Sequence, residues 1–304
     1  MDTTKISLAP LAYYWSKENT LSFYADAMKW PVDIVYLGEV VCSRRHLMKL
    51  DDWFELANEM RSSGKEVVMS TQTLIDSDSD RRTMHRLIER AVEANIDVEA
   101  NDFSAVRVLH RHQKKFIAGP HLNIYHTDTL NWLQSMGAKR FLPPLEMSGI
   151  DLAELQRNRS TDMETEVAVW GRMALAFSAR CFTARHHRLR KDNCEFRCES
   201  YPDGLSLATR EQKMFLNLNG IQTQSATCLD LAEQLPLLFD MNVDVIRLQP
   251  QSQHMEKIVS VFDRARTDKT TAITSESLLP FNAERCNGYW FGAAGMQYQP
   301  SQPC

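Results

Sequence analysis

Residues 33–71 read DIVYLGEVVCSRRHLMKLDDWFELANEMRSSGKEVVMST. Both ends are short apolar runs, DIVYL at 33–37 and EVVMST at 66–71, rich in β-branched residues and bounded by polar or glycine stops. That is how a strand buried on both faces reads. Between them Leu50, Trp53, Phe54, Ala57 and Met60 recur at helical spacing, and Gly64 stands where a helix stops. Strand, helix and strand in one stretch make a βαβ unit.

The same beat continues outward. Upstream lie a strand over 5–12, ended by Pro10, and a helix over 20–30. Downstream, Ser79 or Asp80 caps a helix striped by Met84, Leu87, Ile88, Ala91 and Val92. Strands follow at 96–100, 115–118, 139–142 and 165–170, with helices at 103–112, 127–136 and 150–159 between them. A helix is expected over 229–241, kinked or bounded by Pro236, then a last strand over 243–248 and a last helix over 254–266. Residues 213–218, KMFLNL, read as a hairpin strand or as part of an insertion, and 297–304 as a frayed tail. About eight βα units in one chain most simply close into an α/β, (β/α)8 TIM-barrel-like fold, regular or distorted. It is read as one domain over 1–304, with a cysteine-bearing insertion after strand seven at about 181–212. The rival, an open doubly wound sheet, lacks its glycine fingerprints: neither G-x-G-x-x-G nor G-x-x-x-x-G-K-[ST] occurs.

Composition narrows the function. With 43% hydrophobic and 24% charged residues the 304-residue chain is an ordinary globular protein. A net charge of −4 gives no global pull toward nucleic acid or an anionic membrane. No apolar run reaches the roughly 20 residues of a membrane span, and the first residues lack the pattern of a secretory leader. The expected compartment is therefore the cytoplasm, where clustered thiols serve as ligands rather than disulfides.

Three of the seven cysteines, Cys181, Cys194 and Cys198, are spaced C-x12-C-x3-C. The linking segment is basic: Arg185, His186, His187, Arg188, Arg190 and Lys191. Nearby cations favour thiolate, and thiolate selects zinc, copper(I) or iron–sulfur clusters. Cys42 follows strand two as Cys181 follows strand seven, so a barrel places both at the C-terminal ends of strands, and Cys42 becomes the fourth ligand. Four thiolates hold either tetrahedral zinc or a [4Fe–4S] cluster, and spacing alone leaves both open. Cys228, Cys286 and Cys304 are read as structural or incidental. Glu39, Glu99, Asn101 and Asp102 face the barrel mouth as candidate acid, base or substrate groups. His110, His112, His121 and His126 are read as solvated or packed. There is no H-E-x-x-H helix and no G-x-S-x-G elbow.

Three stretches carry a resemblance: YLGEVVCSRR (36–45), LAFSARCFTARHHRLRKDNCEFRC (175–198) and NGYWFGAAGM (287–296). Together they resemble the U32 peptidase-like family over nearly the whole chain, in particular its branch serving oxygen-independent ubiquinone biosynthesis. The family pattern often has His-Gly ahead of the cysteine block; here Trp170-Gly171 stands instead, which counts against proteolysis. The resemblance implies a [4Fe–4S] cluster on Cys42, Cys181, Cys194 and Cys198. It also implies a heterodimer with a second, UbiU-like U32 protein. The implied chemistry is hydroxylation of a ubiquinone precursor without O2, with a lipid-carrier protein as a further partner and prephenate as oxygen donor. The other readings are an RNA-base hydroxylase, a U32-type peptidase and a non-catalytic metal-binding partner subunit. Catalytic residues are not identified by the sequence.

Overall fold

The computed structural model describes residues 4–268 and 284–300. Seven strands follow one another around the molecule: β1 (Lys5–Leu8), β2 (Ile34–Leu37), β3 (Glu66–Ser70), β4 (Asp97–Ala100), β5 (Phe116–Ala118), β6 (Ala138–Phe141) and β7 (Glu164–Phe177). Each pairs in parallel with the next. The eighth, β11 (Val245–Leu248), pairs in parallel with both β7 and β1 and closes the ring. The fold is thus a TIM barrel. Helices α1 (Lys17–Ala27), α2 (Leu50–Ser62), α3 (Asp78–Glu93), α4 (Phe103–Arg111), α5 (Thr127–Ser135) and α6 (Gly149–Asn158) fill the six crossovers, and α9 (Met255–Thr267) follows β11. The apolar stripe expected on the second helix is buried: Trp53, Phe54, Ala57 and Met60 face the strands. Caps set the helix starts. Ser16 accepts from Asn19 N, so α1 begins ahead of the expected residue 20, and Ser77, rather than Ser79 or Asp80, accepts from Asp80 N.

The barrel interior departs from the usual branched aliphatic layers. Ile34, Tyr36, Val68, Ile117, Leu142 and Val245 form an apolar cluster there. Among them run buried charges. Arg247 donates through Nε to Glu166 at 2.7 Å and through Nη1 to Glu99 at 2.7 Å. Arg140 donates to Glu164 at 2.7 Å and Glu66 at 3.2 Å, and its Nη1 donates to the Tyr36 hydroxyl at 3.3 Å. Tyr36 in turn donates to Glu166, and the Arg247 guanidinium lies 3.9 Å from the Tyr36 ring centroid. Each buried carboxylate on the axis therefore has a cationic or hydroxyl partner, the condition for keeping such groups inside.

Two expectations need correction. The seventh strand does not stop at 170: β7 runs on to Phe177. Its first part belongs to the barrel. From Trp170 onward it pairs antiparallel with β10 (Gln222–Asp230), which pairs with β9 (Met214–Asn219), which pairs with β8 (Leu205–Ala208). Residues 213–218 are accordingly a hairpin strand. The second correction concerns 229–241. Leu229 and Asp230 end a strand, and only α8 (Leu235–Asp240) is helical, after a 3-10 turn. Pro236 sits in the first turn of α8, where its missing N–H is harmless, so it starts a helix rather than kinking one. Of the tail expected to fray over 297–304, residues 301–304 lie outside the described residues. Gln297 is held, its carbonyl accepting from the Asn287 and Gly288 amides.

Gly171 marks the point where β7 changes partners. Its φ is +118°, and an added Cβ would stand 2.3 Å from the Gln249 Cβ. Gly171→Ala is expected to lose roughly 1–3 kcal/mol or more from backbone strain and the clash together. Urea denaturation checks this; an unchanged midpoint would show that the β11 loop yields freely.

Candidate functional site

The antiparallel extension brings distant thiols together at one end of the barrel. Cys42 sits in the loop after β2. Glu39 shapes that loop: its Oε1 accepts from the Val41 amide at 2.9 Å and the Cys42 amide at 3.0 Å. Cys181 caps the short helix α7 (Phe182–His186), its Sγ accepting from Ala184 N at 3.4 Å. Cys194 closes a 3-10 turn, and Cys198 lies in the next. Between them Glu195 and Phe196 both adopt left-handed backbone, φ 49° and 51°. Two successive residues there are rare outside glycine, and they reverse the chain tightly between the two cysteines. Phe196 is anchored by Tyr14, centroids 5.9 Å apart, and by His46 at 4.6 Å.

The tip of the β9–β10 hairpin completes the site. Gly220 takes the left-handed turn position, φ 63°, and its amide donates to Thr183 Oγ1 at 3.0 Å while its carbonyl accepts from Phe182 N. Cys42, Cys181, Cys194 and Cys198 all line one cavity, together with Arg44, Arg45, Lys191, Arg197, Phe196 and Gly220. Cys42 is buried, the other three are half-buried, and all four are free thiols.

The cavity sets buried and half-buried thiols against basic walls. Burial pushes the Cys42, Cys181 and Cys198 thiols above their ordinary range, and neighbouring thiols add to the effect in each. A bound cation reverses that logic, because a coordinating thiol is deprotonated outright. Four cations already line the walls. Lys191 is tied to Asp76 at 2.8 Å and Arg197 to Glu195 at 2.6 Å. The Nε atoms of Arg44 and Arg45 are buried without an aligned hydrogen-bond partner. Arg44 Nη2 donates to Asp192 O at 2.7 Å, and four basic side chains around these thiols suit an anionic, sulfur-rich occupant.

Among the described residues no three Cys, His, Asp or Glu side chains are gathered as a single metal ion would need. In a four-iron cluster each thiolate binds a different iron, so the sulfurs stand farther apart than four ligands on one ion. The four thiols share one cavity, and they are the residues that could hold a metal centre.

The other candidate residues have structural partners. Glu99 is paired with Arg247 and accepts from Ser70 at 2.7 Å. Asn101 bonds Thr71, and Asp102 caps α4 through Ser104 N at 2.7 Å. His110 Nδ1 lies 3.1 Å from Met136 O, and His126 Nε2 3.2 Å from Thr129 Oγ1. His121 packs edge-on against Phe177 at 4.9 Å; burial, and then the Arg247 charge, pull its pKa down to about 4, so it stays neutral. Cys228 lies within β10 rather than ahead of a helix, and Cys286 lies in β12 (Arg285–Cys286), which pairs with it. Burial pushes the Cys228 thiol up to about 12, which makes it inert. Cys304 lies outside the described residues. Sequence reasoning placed Arg44 and Arg45 beside Cys42 but missed that both line the thiol cavity; the signal was two cations closely following a candidate ligand. An open groove of about 530 Å³, lined by Trp15, Phe23, Trp30, Pro202, His254 and Met255, escaped notice too, because its residues come from three separate parts of the chain.

The model of the family described as Peptidase family U32 matches residues 19–285. Among solved structures, a chain of the tryptophan synthase complex from Pyrococcus furiosus is similar at 13% identity, covering 87% of this chain and 92% of that one, with a TM-score of 0.45. The U32 peptidase Mk0906 is similar at 9% identity, over 83% of this chain and 95% of its own, with a TM-score of 0.45. Dihydropteroate synthase from Thermus thermophilus is similar at 12%, over 86% and 94%, with a TM-score of 0.44. At these values the structural likenesses say nothing about chemistry.

Proposed function

The chain belongs to peptidase family U32, and on that premise we propose that it is the iron–sulfur subunit of a heterodimer required for O2-independent hydroxylation in ubiquinone biosynthesis, the role of the UbiV branch. The observation that carries the reading is the cavity shared by Cys42, Cys181, Cys194 and Cys198 and walled by Arg44, Arg45, Lys191 and Arg197. The ligand set is all thiol, drawn from two separate regions of the chain, and its counter-charge is built in. These four cysteines would hold a [4Fe–4S] cluster. When bound, such a group supplies one-electron chemistry at a potential set by exposure and by hydrogen bonds to its sulfurs. The protein's own part is to hold the four sulfurs, to screen them with Phe196 and the Gly220 turn, and to offset their charge. The partner would be a UbiU-like U32 protein, the substrate a ubiquinone precursor presented by a lipid-carrier protein, and the oxygen donor prephenate.

Deleting the gene tests the function directly. Ubiquinone should fall to background in anaerobic cultures and remain normal in aerated ones, with the unhydroxylated precursor accumulating. Normal anaerobic ubiquinone, or cleavage of a protein substrate by the pure chain, would favour a peptidase instead. Among the described residues no helix is long and apolar enough to cross a membrane.

A further inference from the structure

We infer that Arg45 is a positioning residue for the cysteine site: its buried Nε–H takes the Cys198 sulfur as acceptor once that thiol becomes a ligand and, with Arg44 beside it, holds the potential of the bound cluster up. This rests on the cluster reading above and goes beyond the ligand set. The Arg45 side chain is only 2% exposed. Nη1 donates to Ala12 O at 2.7 Å and Nη2 to Asn219 Oδ1 at 2.6 Å, with the guanidinium carbon 5.4 Å from the Tyr14 ring centroid. The group is thus clamped on its far side by the β1 loop and the β9–β10 hairpin. Arg45 and Cys198 line the same cavity. Nε is left without an aligned acceptor. A thiol is a poor acceptor, whereas a thiolate is a good one, so Nε gains its acceptor when Cys198 becomes a ligand.

The charge argument runs the same way. Four thiolates outweigh the charge of the iron–sulfur core, so the loaded site is anionic and becomes more so on gaining an electron. A fixed buried cation and a donor to sulfur both stabilise the more negative state and raise the potential. Glu39 only partly cancels Arg45. Its Oε1 is 3.4 Å from Nη1 and is shared with the Val41 and Cys42 amides.

Wild type, Arg45→Met and Arg45→Lys are purified anaerobically, assayed for iron and titrated through the one-electron 2+/1+ couple, the electron coming from the titrant. Arg45→Met should keep its iron but titrate at a more negative potential. Arg45→Lys, which restores charge without the Nε donor, should fall between. Reduced protein labelled with 15N-arginine should also show a nitrogen coupling in pulsed EPR that weakens in Arg45→Lys. Iron-loaded Arg45→Met with the wild-type potential overturns the inference while leaving the cluster reading intact. If Arg45→Met does not fold, an unshifted Arg45→Lys with undiminished coupling does the same. Iron-free wild type overturns both.

Discussion

On the proposed cluster reading, Cys181→Ala is expected to lose its iron: the anaerobically purified variant should drop from about four irons per chain to under one, because a four-thiolate cage has no spare ligand. Cys42→Ala should do the same, although Cys42 lies far from the other three in sequence. Cys228→Ala is the control. That thiol is buried in β10, away from the cavity, and its removal should leave iron content unchanged while lowering stability slightly. The loss in the site variants should be accompanied by a bleached visible spectrum and an otherwise intact far-UV dichroism. Full iron in Cys42→Ala would mean that a different residue completes the ligand set.

Arg247→Met carries the largest expected effect on the fold. Arg247 is 3% exposed at the side chain and is shared by Glu99 and Glu166, which are 1% and 0% exposed. Among the described residues, removing it leaves Glu99 without a cation in the barrel interior and Glu166 with Arg140 alone, 3.7 Å away. Breaking a buried pair by removing one partner costs about 3–5 kcal/mol, most of it the uncompensated charge. Burial alone would raise the Glu166 pKa; the Arg247 and Arg140 charges outweigh it and hold the carboxyl below its ordinary range. A group whose folded pKa is depressed stabilises the protein fully above the ordinary carboxylate value, and that contribution is lost as pH falls through the folded value. The Glu166 contribution should therefore be lost only on the acid side of the usual carboxylate range. Arg247→Met should be weaker throughout and should recover part of the loss at acid pH, where Glu166 can take up a proton. Urea melts across pH check both statements. A variant as stable as wild type at neutral pH would show that the axial charges are solvated rather than sealed.

The strand-and-helix beat made the barrel legible, because each βα unit carries its own pattern: DIVYL and EVVMST had only one sensible reading as buried strands. What local pattern hid was long-range pairing. QTQSATCLD became β10 because β7 and β9 flank it, and nothing within the segment announces those neighbours. LDLAEQLPLLF has helical spacing, yet its first two residues belong to that strand. The interior charges were invisible for a related reason. Glu99, Arg140, Glu166 and Arg247 each look like a solvent-facing residue of an alternating strand, and only ring closure turns them inward. At the cysteine site, residue type and strand position singled out four thiols that line one cavity, and their role as ligands is the proposal. The Gly220 turn, the Glu195–Phe196 reversal and the clamp on Arg45 depend on the hairpin folding back over α7, which spacing does not encode.

Iron and acid-labile sulfide, measured with Mössbauer spectra on protein purified and kept strictly anaerobic, test the central claim most directly. The account predicts about four of each per chain and a single cluster species that yields a paramagnetic state on one-electron reduction. One zinc per chain without sulfide, or no metal in protein never exposed to air, would contradict it.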